Sequence, residues 1–443
     1  MKRYAFLLVL CAVLEGAPPE WKAGVASTVI TPLKPIWMAG YSARKHPSEG
    51  VIQDIQAKAL ALQDRTGARF VLVTTDLLGL TANVSGAVFE RVRKKYGLGR
   101  ERVMFNSSHT HCGPVIDRML AVAYNLDTAQ WSVIDAYTNE LEDKLVSTIG
   151  HALGDLRPAR LSFGHSEAGF AKNRRTQYSP NGPVDHDVPV LRVDDDASGH
   201  MRAVVFGYAC HNTTISADVC RLNGDYAGFC QAELRRKHPG AEALFVAGCG
   251  ADANPYPRGT EELARAHGKE LADAVDKALG NTLQPVGGPL RASFERVSLA
   301  FAPAPSREEL ERRLQDKNEY AVRHAREMLS ILDRDGKLPA DYPYPIEVWQ
   351  FGKGLTWIAL GGEVVVDYDL RLKQMFGASR LWVSGYSNDV MGYIPSLRVL
   401  KEGGYEGGGA MIYYVRPGPW SDTVEDTIIH ATERLVETAK ARR

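Results

Sequence analysis

The sequence predicts an α/β protein with mixed β-sheets, flanking helices and an active site at the carboxyl ends of strands. Two observations indicate this class. Short apolar segments alternate with helical segments along the 443 residues, as strands and helices do in α/β folds. Many apolar segments also run into polar or glycine-containing turns, and ligands of such sheets lie beyond these strand ends. The polar residues in these turns are Asp76, His109, His111, His211, Asp252, Asn254, Glu363, Asn388 and Tyr393.

Strands are predicted where apolar residues cluster between turn signals. They cover residues 25–30, 57–62, 70–74, 103–105, 188–193, 203–209, 243–246, 355–360 and 381–384. Helices are predicted where apolar residues recur at helical spacing, as Val84, Val88 and Val92 do. They cover residues 81–96, 129–153, 225–237, 261–279 and 421–440, and the charged segment 306–335 is predicted to be one long surface helix. Residues 339–345, rich in proline and tyrosine, are predicted to form a turn region.

Composition and the N-terminus narrow the class of protein. The chain is 44% hydrophobic and 24% charged with a formal net charge of zero, which is ordinary for a globular protein and does not indicate nucleic acid as a partner. A basic start, Met1–Arg3, precedes a short apolar run and small residues, which predicts a signal peptide over 1–17. No other apolar run reaches transmembrane length, so no transmembrane anchor is expected. We therefore predict a secreted or periplasmic protein with a single domain over 18–443.

The cysteines give a weaker indication. Cys11 lies in the leader, where a lipoprotein signal is the less favoured alternative. The other cysteines are Cys112, Cys210, Cys220, Cys230 and Cys249. Because their number is odd, at least one is unpaired within the chain, and spacing does not reveal the connectivity of any disulfide.

The stretch 103–114 carries two histidines, His109 and His111, between an apolar strand and a Gly-Pro turn. In an extended chain both imidazoles would point to the same side. Such a pair suits a metal ligand beside a proton-handling group, although hydrogen-bonded loop histidines are the alternative. His211 and Glu363 end two further strands. Two imidazoles and a carboxylate are a common catalytic zinc set, and the alternative for Glu363 alone is the cap of a helix.

Several short motifs occur in order between Gly24 and Tyr414. They are Met38-Ala39-Gly40-Tyr41, Ser108-His109-Thr110-His111-Cys112-Gly113-Pro114, Asn173-Arg174, Cys210-His211-Asn212-Thr213, Gly224-Asp225 with Gly228-Phe229, Gly362-Glu363, Tyr386-Ser387-Asn388, Tyr393-Ile394 and Tyr405-Glu406. In this order they resemble the neutral ceramidase family, zinc-dependent amidases that cleave the acyl amide of ceramide. The seven-residue histidine motif is specific, and the ordered set is more specific still.

The resemblance implies roles for individual residues. Zinc (Zn²⁺) would be held by His109, His211, Glu363 and Tyr393. The residues lining the reacting centre would be His111, Arg174 and Tyr405. His111 suits proton transfer near neutral pH, and the other two can donate hydrogen bonds to an oxyanion.

The sequence departs from the family pattern at one catalytic position. The family has a serine with a nucleophilic role in a Gly-Asp-x-Ser-Pro turn, and this chain has Ala251–Pro255 there, with Asn254 in place of the serine. An amide is a poor nucleophile but forms hydrogen bonds, so Asn254 is predicted to orient water or the substrate carbonyl while Asp252 helps to fix the turn. The family's additional C-terminal domain is expected to be absent, because the chain ends soon after the tyrosine region.

The predicted function is a secreted zinc-dependent amidohydrolase of the ceramidase type that cleaves an N-acyl bond with zinc-activated water. Its expected partner is a small acylated molecule, sphingolipid-like in character. Two alternatives remain open. An ester or lactone would suit the same site, and a catalytically inactive zinc-containing homologue that binds a lipid or glycan would explain Asn254.

Overall fold

Two β-sheets pack face to face, and helices cover their outer faces. The structure is a computed structural model that describes residues 20–441. Its mixed sheets and flanking helices confirm the predicted α/β class.

The strands, in chain order, are β1 (Trp21–Val29), β2 (Gly50–Val51), β3 (Gln56–Asp64), β4 (Arg69–Thr75), β5 (Val103–Ser107), β6 (Arg157–Glu167), β7 (Ala171–Asn173), β8 (Asp187–Asp195), β9 (Met201–Tyr208), β10 (Arg221–Leu222), β11 (Glu242–Ala247), β12 (Ala253–Pro255), β13 (Gln284–Pro285), β14 (Leu290–Ala300), β15 (Asp341–Phe351), β16 (Leu355–Leu360), β17 (Glu363–Val364), β18 (Leu381–Ser384) and β19 (Tyr393–Ile394). The α-helices are α1 (Ala82–Tyr96), α2 (Thr128–Gly154), α3 (Asp225–Lys237), α4 (Glu261–Gly280), α5 (Arg307–Arg313), α6 (Glu319–Asp335), α7 (Val366–Phe376), α8 (Leu397–Glu402) and α9 (Val424–Ala441).

The larger sheet has nine strands. Eight of them lie in the order β11-β9-β8-β6-β1-β3-β4-β5, and β13 pairs with β6. The pairs β4–β5 and β9–β11 are parallel, whereas the central pairs are antiparallel. Three strands of this sheet, β5, β9 and β11, run straight into the turns that carry predicted site residues.

The second sheet has four strands in the order β14-β15-β16-β18, and it covers one face of the larger sheet. Side chains alternate along the strands, so Leu60 and Leu62 point into the space between the sheets while Ala59 and Ala61 face the helices. Tryptophans fill that space. Trp357 and Trp382 stack with ring centroids 4.1 Å apart, and the pair buries a large apolar area between the sheets.

The sequence prediction missed two long strands, β6 and β14, and the short strands of two or three residues, and it gave part of another long strand as a turn. Residues 341–345 belong to β15, so the turn prediction for 339–345 was wrong there. Pro343 and Pro345 are tolerated because β15 pairs with β16 only from Ile346 onward, which leaves the proline segment with one neighbouring strand.

The charged segment 306–335 forms two helices instead of the predicted one. Ser306 caps α5 by accepting a hydrogen bond from Glu309 N, and Asn318 caps α6 by accepting one from Tyr320 N. The second cap starts a new helix after a turn, which the apolar spacing alone did not reveal.

The predicted leader over 1–17, with Cys11, lies outside the described residues. The five remaining cysteines are all buried with free thiols, in line with an odd count. Within residues 20–441, no helix combines the length and apolar character needed to cross a bilayer.

Candidate metal centre

The first predicted ligand, His109, follows β5. The backbone at His109 has φ of 61°, in the left-handed region, and its N–H donates to Leu77 O at 2.9 Å. The chain is therefore not extended through the two histidines, and the expectation of a shared strand face was wrong. The turn nevertheless brings the rings of His109 and His111 to a centroid distance of 4.9 Å.

His211 lies just after β9, in a turn that is hydrogen-bonded to the segment after the neighbouring strand β11. Its backbone N–H donates to Ala253 O at 3.0 Å, and its ring Nδ1 lies 2.9 Å from Gly250 O. His211 is fully buried. Its ring is thus fixed at both the backbone and the side chain.

Glu363 and Tyr393 come together through a short parallel pair of strands. β17 and β19 place Glu363 directly opposite Tyr393. Gly362, just before Glu363, has φ of 75°, and a Cβ there would lie 2.7 Å from Ile394 Cγ1 and 2.8 Å from Gly392 O. A glycine is required at this position so that the carboxylate can turn towards the histidines.

The four predicted zinc ligands converge on one point. Glu363 Oε2 lies 3.0 Å from His109 Nε2 and 3.1 Å from His211 Nε2. The Tyr393 hydroxyl lies 3.2 Å from His211 Nε2. Side chains separated by up to 284 positions therefore share one focus.

The chemistry of this donor set fits a metal ion. Nδ1 of His109 lies 2.7 Å from Leu78 O, and Nδ1 of His211 faces Gly250 O. A carbonyl can only accept, so each Nδ1 carries the hydrogen and each Nε2 presents a lone pair. The two Nε2 lone pairs then face the negatively charged carboxylate of Glu363. These electron-rich groups repel one another, and a cation bound between them would remove the repulsion. Zinc prefers these ligand types.

His111 lies beside this group and is held mainly by packing. Its Nε2 is 3.2 Å from His109 Nε2, and its ring lies 4.8 Å from that of Tyr41. The His111, His109 and His211 ring nitrogens form a group within 4.8 Å that could itself hold a metal. Burial lowers the pKa of His111 well below its usual value, and the neighbouring imidazoles lower it further. Burial likewise lowers the pKa of His211 to about 4. Both rings are therefore neutral at pH 7, as metal ligands must be.

Arg174 and Asn254 lie on the other side of the group. Arg174 Nη2 donates to the Tyr393 hydroxyl at 2.9 Å, and Nη1 lies 3.4 Å from Asn254 Oδ1. Thr213 Oγ1 also donates to Asn254 Oδ1, at 3.3 Å. An arginine can only donate, so the amide oxygen of Asn254 faces Arg174 and the amide nitrogen points elsewhere.

Tyr405 stands at the mouth of the centre. Its ring centroid lies 5.2 Å from that of Tyr393 and 5.8 Å from Arg174 Cζ. The side chain is 47% exposed, in contrast to the buried histidines. Tyr405 is therefore the most exposed of the predicted site residues, whereas Arg174, His111 and Asn254 are half-buried.

Asp252 points away from the ligand group. Its Oδ1 accepts from Val366 N at 2.9 Å, and its Oδ2 accepts from Asn173 Nδ2 at 3.0 Å. Its carbonyl accepts from Arg174 N at 2.8 Å. Burial raises the pKa of Asp252 to about 6. Asp252 thus ties together the turn with Asn254, the segment with Arg174 and the start of α7.

Two residues of this region had no role assigned from sequence. The Tyr414 hydroxyl donates to Glu363 Oε1, the oxygen that does not face the histidines. Glu406 accepts from Arg174 Nε at 2.7 Å. Tyr414 belongs to no recognisable motif, whereas Glu406 directly follows Tyr405 in one of the matched motifs.

Comparisons with known proteins agree with the motifs. The sequence profile for neutral/alkaline non-lysosomal ceramidase, N-terminal, matches residues 21–254. Neutral ceramidase of Mycobacterium tuberculosis is 27% identical over 221 residues, which are 47% of this chain and 34% of that protein. Neutral ceramidase of Oryza sativa is 24% identical over 268 residues, which are 56% of this chain and 33% of that protein.

Two solved structures share the fold. Neutral ceramidase from Pseudomonas aeruginosa superposes with a TM-score of 0.75 at 21% identity, over 96% of this chain and 75% of that one. A ceramidase complexed with C2 superposes with a TM-score of 0.72 at 19% identity, over 94% of this chain and 76% of that one. The matches to the curated relatives span about a third of their length. Since the family profile covers more than half of the sequence, the chain belongs to the neutral/alkaline non-lysosomal ceramidase family.

Proposed function

We propose that the protein is a zinc-dependent hydrolase of the neutral ceramidase type that cleaves an N-acyl amide bond. The observation that carries this proposal is the convergence of two histidine Nε2 atoms, one carboxylate oxygen and one phenol oxygen from four separate buried segments of the chain. Family membership indicates the same chemistry. The proposed substrate is a small acylated molecule of the ceramide type.

The proposed zinc ligands are His109, His211, Glu363 and Tyr393. When bound there, zinc would lower the pKa of a water ligand towards 7 and polarise a carbonyl. The backbone carbonyls at Nδ1 of both histidines hold the rings in the tautomer that this role requires. The Tyr414 hydroxyl donates to Glu363 Oε1, the oxygen that faces away from the histidines, and so helps to fix the carboxylate.

His111 is the proposed proton carrier. Its Nε2 faces the ligand group, and its Nδ1 has no hydrogen-bond partner among residues 20–441. We propose that Nε2 accepts a proton from the attacking water and returns it to the leaving amine. Burial keeps His111 neutral, so the ring retains a lone pair for that proton, and the lowered pKa also favours its prompt return to the leaving group.

Arg174 and Tyr405 are the proposed oxyanion donors. Arg174 Nη2 donates to the Tyr393 hydroxyl, and the ring of Tyr405 lies beside both Tyr393 and Arg174, 5.2 Å from the Tyr393 ring centroid and 5.8 Å from Arg174 Cζ. Negative charge develops on the former carbonyl oxygen when the acyl carbon becomes tetrahedral, and donors placed there lower the barrier. Asn254, whose oxygen is occupied by Arg174 and Thr213, has its amide nitrogen left to orient the water or the carbonyl.

The chain supplies no hydroxyl at the position of the family's serine, since Asn254 stands there. The attacking oxygen therefore comes from water and not from a side chain in our proposal. Export with loss of residues 1–17, and one domain over 18–443, also remain proposals that rest on the sequence alone.

The test combines metal analysis with hydrolysis assays. Purified protein is analysed for zinc, stripped by a chelator, and reloaded with zinc, magnesium or manganese. Each form is assayed on N-dodecanoyl sphingosine, octanoyl aminocoumarin amide and the matching octanoyl ester. The proposal expects stoichiometric zinc and amide hydrolysis that returns with zinc. Ester cleavage without amide cleavage supports an esterase, and a zinc-loaded protein inert on all three probes contradicts hydrolysis.

A further inference from the structure

Glu406 is a buried carboxylate that links two consecutive arginines. Its Oε1 accepts from Arg174 Nε at 2.7 Å, and its Oε2 accepts from Arg175 Nη1 at 2.6 Å. Only 5% of the Glu406 side chain is exposed, and Arg175 is 1% exposed. Hydrogen bonds between buried opposite charges are short and directional, so this carboxylate fixes the orientation of both guanidinium groups.

Arg174 is held on three sides. Besides Glu406 at Nε, it contacts the Tyr393 hydroxyl through Nη2 and Asn254 Oδ1 through Nη1. Of these three described partners of the Arg174 guanidinium, Glu406 is the one that carries a negative charge. Since an arginine side chain has several freely rotating bonds, the charged contact at Nε determines where the two Nη groups point.

The same carboxylate anchors the glycine-rich loop 403–409. Gly403 and Gly404 both have φ of 74°, which lets the chain turn sharply before Tyr405. A Cβ at Gly407 would lie 2.5 Å from Gly403 O and 2.6 Å from Val399 O, so the loop folds tightly on itself. Tyr405 precedes Glu406 in this loop, and its position therefore depends on the anchor.

The charged contacts continue away from the metal centre. Arg175 Nη2 donates to Glu402 Oε2 at 2.9 Å, and Glu402 Oε1 accepts from Arg398 Nη1 at 2.9 Å. Glu402 thus shares Arg175 with Glu406 but makes no described contact with Arg174. Glu402 lies four residues before Glu406 in the sequence and belongs to the same network of charged contacts, so it serves as a matched control.

We propose that Glu406 is a positioning residue that aligns Arg174 with Tyr405, so that both donors reach one oxyanion. This inference rests on the proposed hydrolytic function. Within the described residues, Glu406 does not touch His109, His211 or Glu363. Loss of its charge is therefore expected to change turnover without changing the metal content.

The kinetic test compares Glu406→Gln with Glu402→Gln in the full, zinc-loaded chain, with octanoyl aminocoumarin amide as the probe. Glu406→Gln is expected to lower kcat about 10–100-fold with KM within about threefold, since displacing a group by ~1 Å costs on the order of 10² in rate. Glu402→Gln is expected to stay within about threefold of the unmodified protein. Glu406→Asp, which keeps the charge on a shorter side chain, should recover part of the loss. Equal kcat values for the two glutamine variants overturn the proposal.

A double-mutant cycle separates positioning from a general structural effect. In an Arg174→Ala background, Glu406→Gln should lower kcat by a smaller factor than in the unmodified protein, because the part of its effect that acts through Arg174 is already lost and only the part that acts through the Tyr405 loop remains. Independent, additive losses overturn the proposed route. Zinc content is measured for every variant and should not change.

Hydrogen exchange gives a readout that does not need turnover. Amides of residues 403–409 should exchange faster in Glu406→Gln than in Glu402→Gln, because the loop loses its anchor. Unchanged exchange in this segment overturns the proposal whether or not the protein hydrolyses the probe. If the unmodified protein is inert while the exchange difference appears, the proposed function fails and the anchoring role of Glu406 stands.

Discussion

The side-chain amide of Asn106 pairs with the backbone of Ala247 as a neighbouring strand would. Asn106 Oδ1 accepts from Ala247 N at 2.9 Å, and Asn106 Nδ2 lies 3.4 Å from Ala247 O. Asn106 is in β5 and Ala247 ends β11, and these are the two outermost strands in the order of the larger sheet. One buried amide therefore joins the strand that leads to His109 with the strand that leads to Asn254.

Replacement of Asn106 by alanine is expected to destabilise the protein. The change leaves Ala247 N without its described side-chain partner, and an unsatisfied buried group costs about 1–3 kcal/mol. It also removes one hydrogen bond to Gly385 O, which keeps Ser387 Oγ as a donor, so this loss costs about 1 kcal/mol. We expect a loss of about 2–4 kcal/mol in the free energy of unfolding, measured by urea denaturation, together with weaker zinc retention. Asn281→Ala, at an exposed position, is the control and should stay within about 0.5 kcal/mol. An Asn106→Ala protein as stable as this control would contradict the closing role of the amide.

Much of the fold follows from local patterns in the sequence, because helix caps and apolar spacing act over a few residues. Helix α3 spans the predicted 225–237, and the predicted strands of the larger sheet lie within a few residues of their observed bounds, although β6 in the middle of that sheet was missed. The first part of β15 was missed because its prolines indicate a turn. Proline disrupts a strand that has neighbours on both sides, but it is tolerated where only one strand lies alongside.

The candidate site was predictable only as far as its motifs reached. His109, His211, Glu363 and Tyr393 each stand in a recognisable motif, and the structure places them together. Tyr414 stands in none, and its contact with Glu363 depends on a fold that brings positions 363 and 414 together. The left-handed backbone at His109 could not be predicted either, because few residues other than glycine adopt it and no local sequence signal marks where the surrounding contacts impose it.

The proposed division between ligands and proton carrier predicts different metal contents. His211→Ala should lose zinc, because its Nε2 is one of the converging donors. His111→Ala should keep zinc but lose about 10²–10⁴-fold in kcat, the usual contribution of proton transfer. Metal analysis of both dialysed variants, beside steady-state assays, distinguishes the two roles. Zinc loss from His111→Ala would instead place His111 among the ligands, as the three-histidine group allows.

The close contact between Gly40 and the His111 ring provides a test of how accurately that ring must be placed for catalysis. A Cβ at Gly40 would lie 2.4 Å from His111 Nδ1, and the backbone there has φ of 93°. Gly40→Ala should displace the ring and lower kcat about 10–100-fold with zinc retained. Gly86→Ala is the matched control, because a Cβ at this helical position meets nothing within 4 Å. The control should raise the free energy of unfolding by about 0.5–1 kcal/mol and leave turnover unchanged. Normal turnover in Gly40→Ala would show that the ring tolerates movement.

Glu347 predicts a pH dependence of stability away from the metal centre. This fully buried carboxyl accepts from Trp349 Nε1 at 2.8 Å and Asn388 Nδ2 at 2.9 Å. Burial raises its pKa from 4.5 to about 7, although Arg100 opposes the shift. Because the folded-state pKa lies above the unfolded one, the protonated form is favoured by folding. Stability is therefore highest below pH 4.5 with respect to this group and falls as the pH rises to about 7.

The size of that effect is about 3 kcal/mol, from the shift in pKa at about 1.4 kcal/mol per unit. Glu347→Gln cannot ionise, so the difference in unfolding free energy between the unmodified protein and this variant should change by that amount between pH 4.5 and 7. Urea denaturation at several pH values measures it. A difference independent of pH would mean that Glu347 ionises normally in the folded protein.

Because Asn254 stands at the position of the family's serine, we predict hydrolysis without a covalent acyl-enzyme intermediate. Its oxygen is held by Arg174 and Thr213, and its nitrogen is left to orient water or the carbonyl. Asn254→Ala should lower kcat about 5–10-fold, since one neutral hydrogen bond contributes about 1 kcal/mol, and this loss is smaller than that of His111→Ala. Asn254→Asp keeps an oxygen for Arg174 and Thr213 but has no N–H to donate, so it should lose at least as much as the alanine variant. Asn254→Ser should not exceed the unmodified protein. Mass spectrometry of samples quenched during turnover should show no chain carrying an acyl group, whereas such an adduct on the unmodified protein would establish a side-chain nucleophile and overturn attack by water.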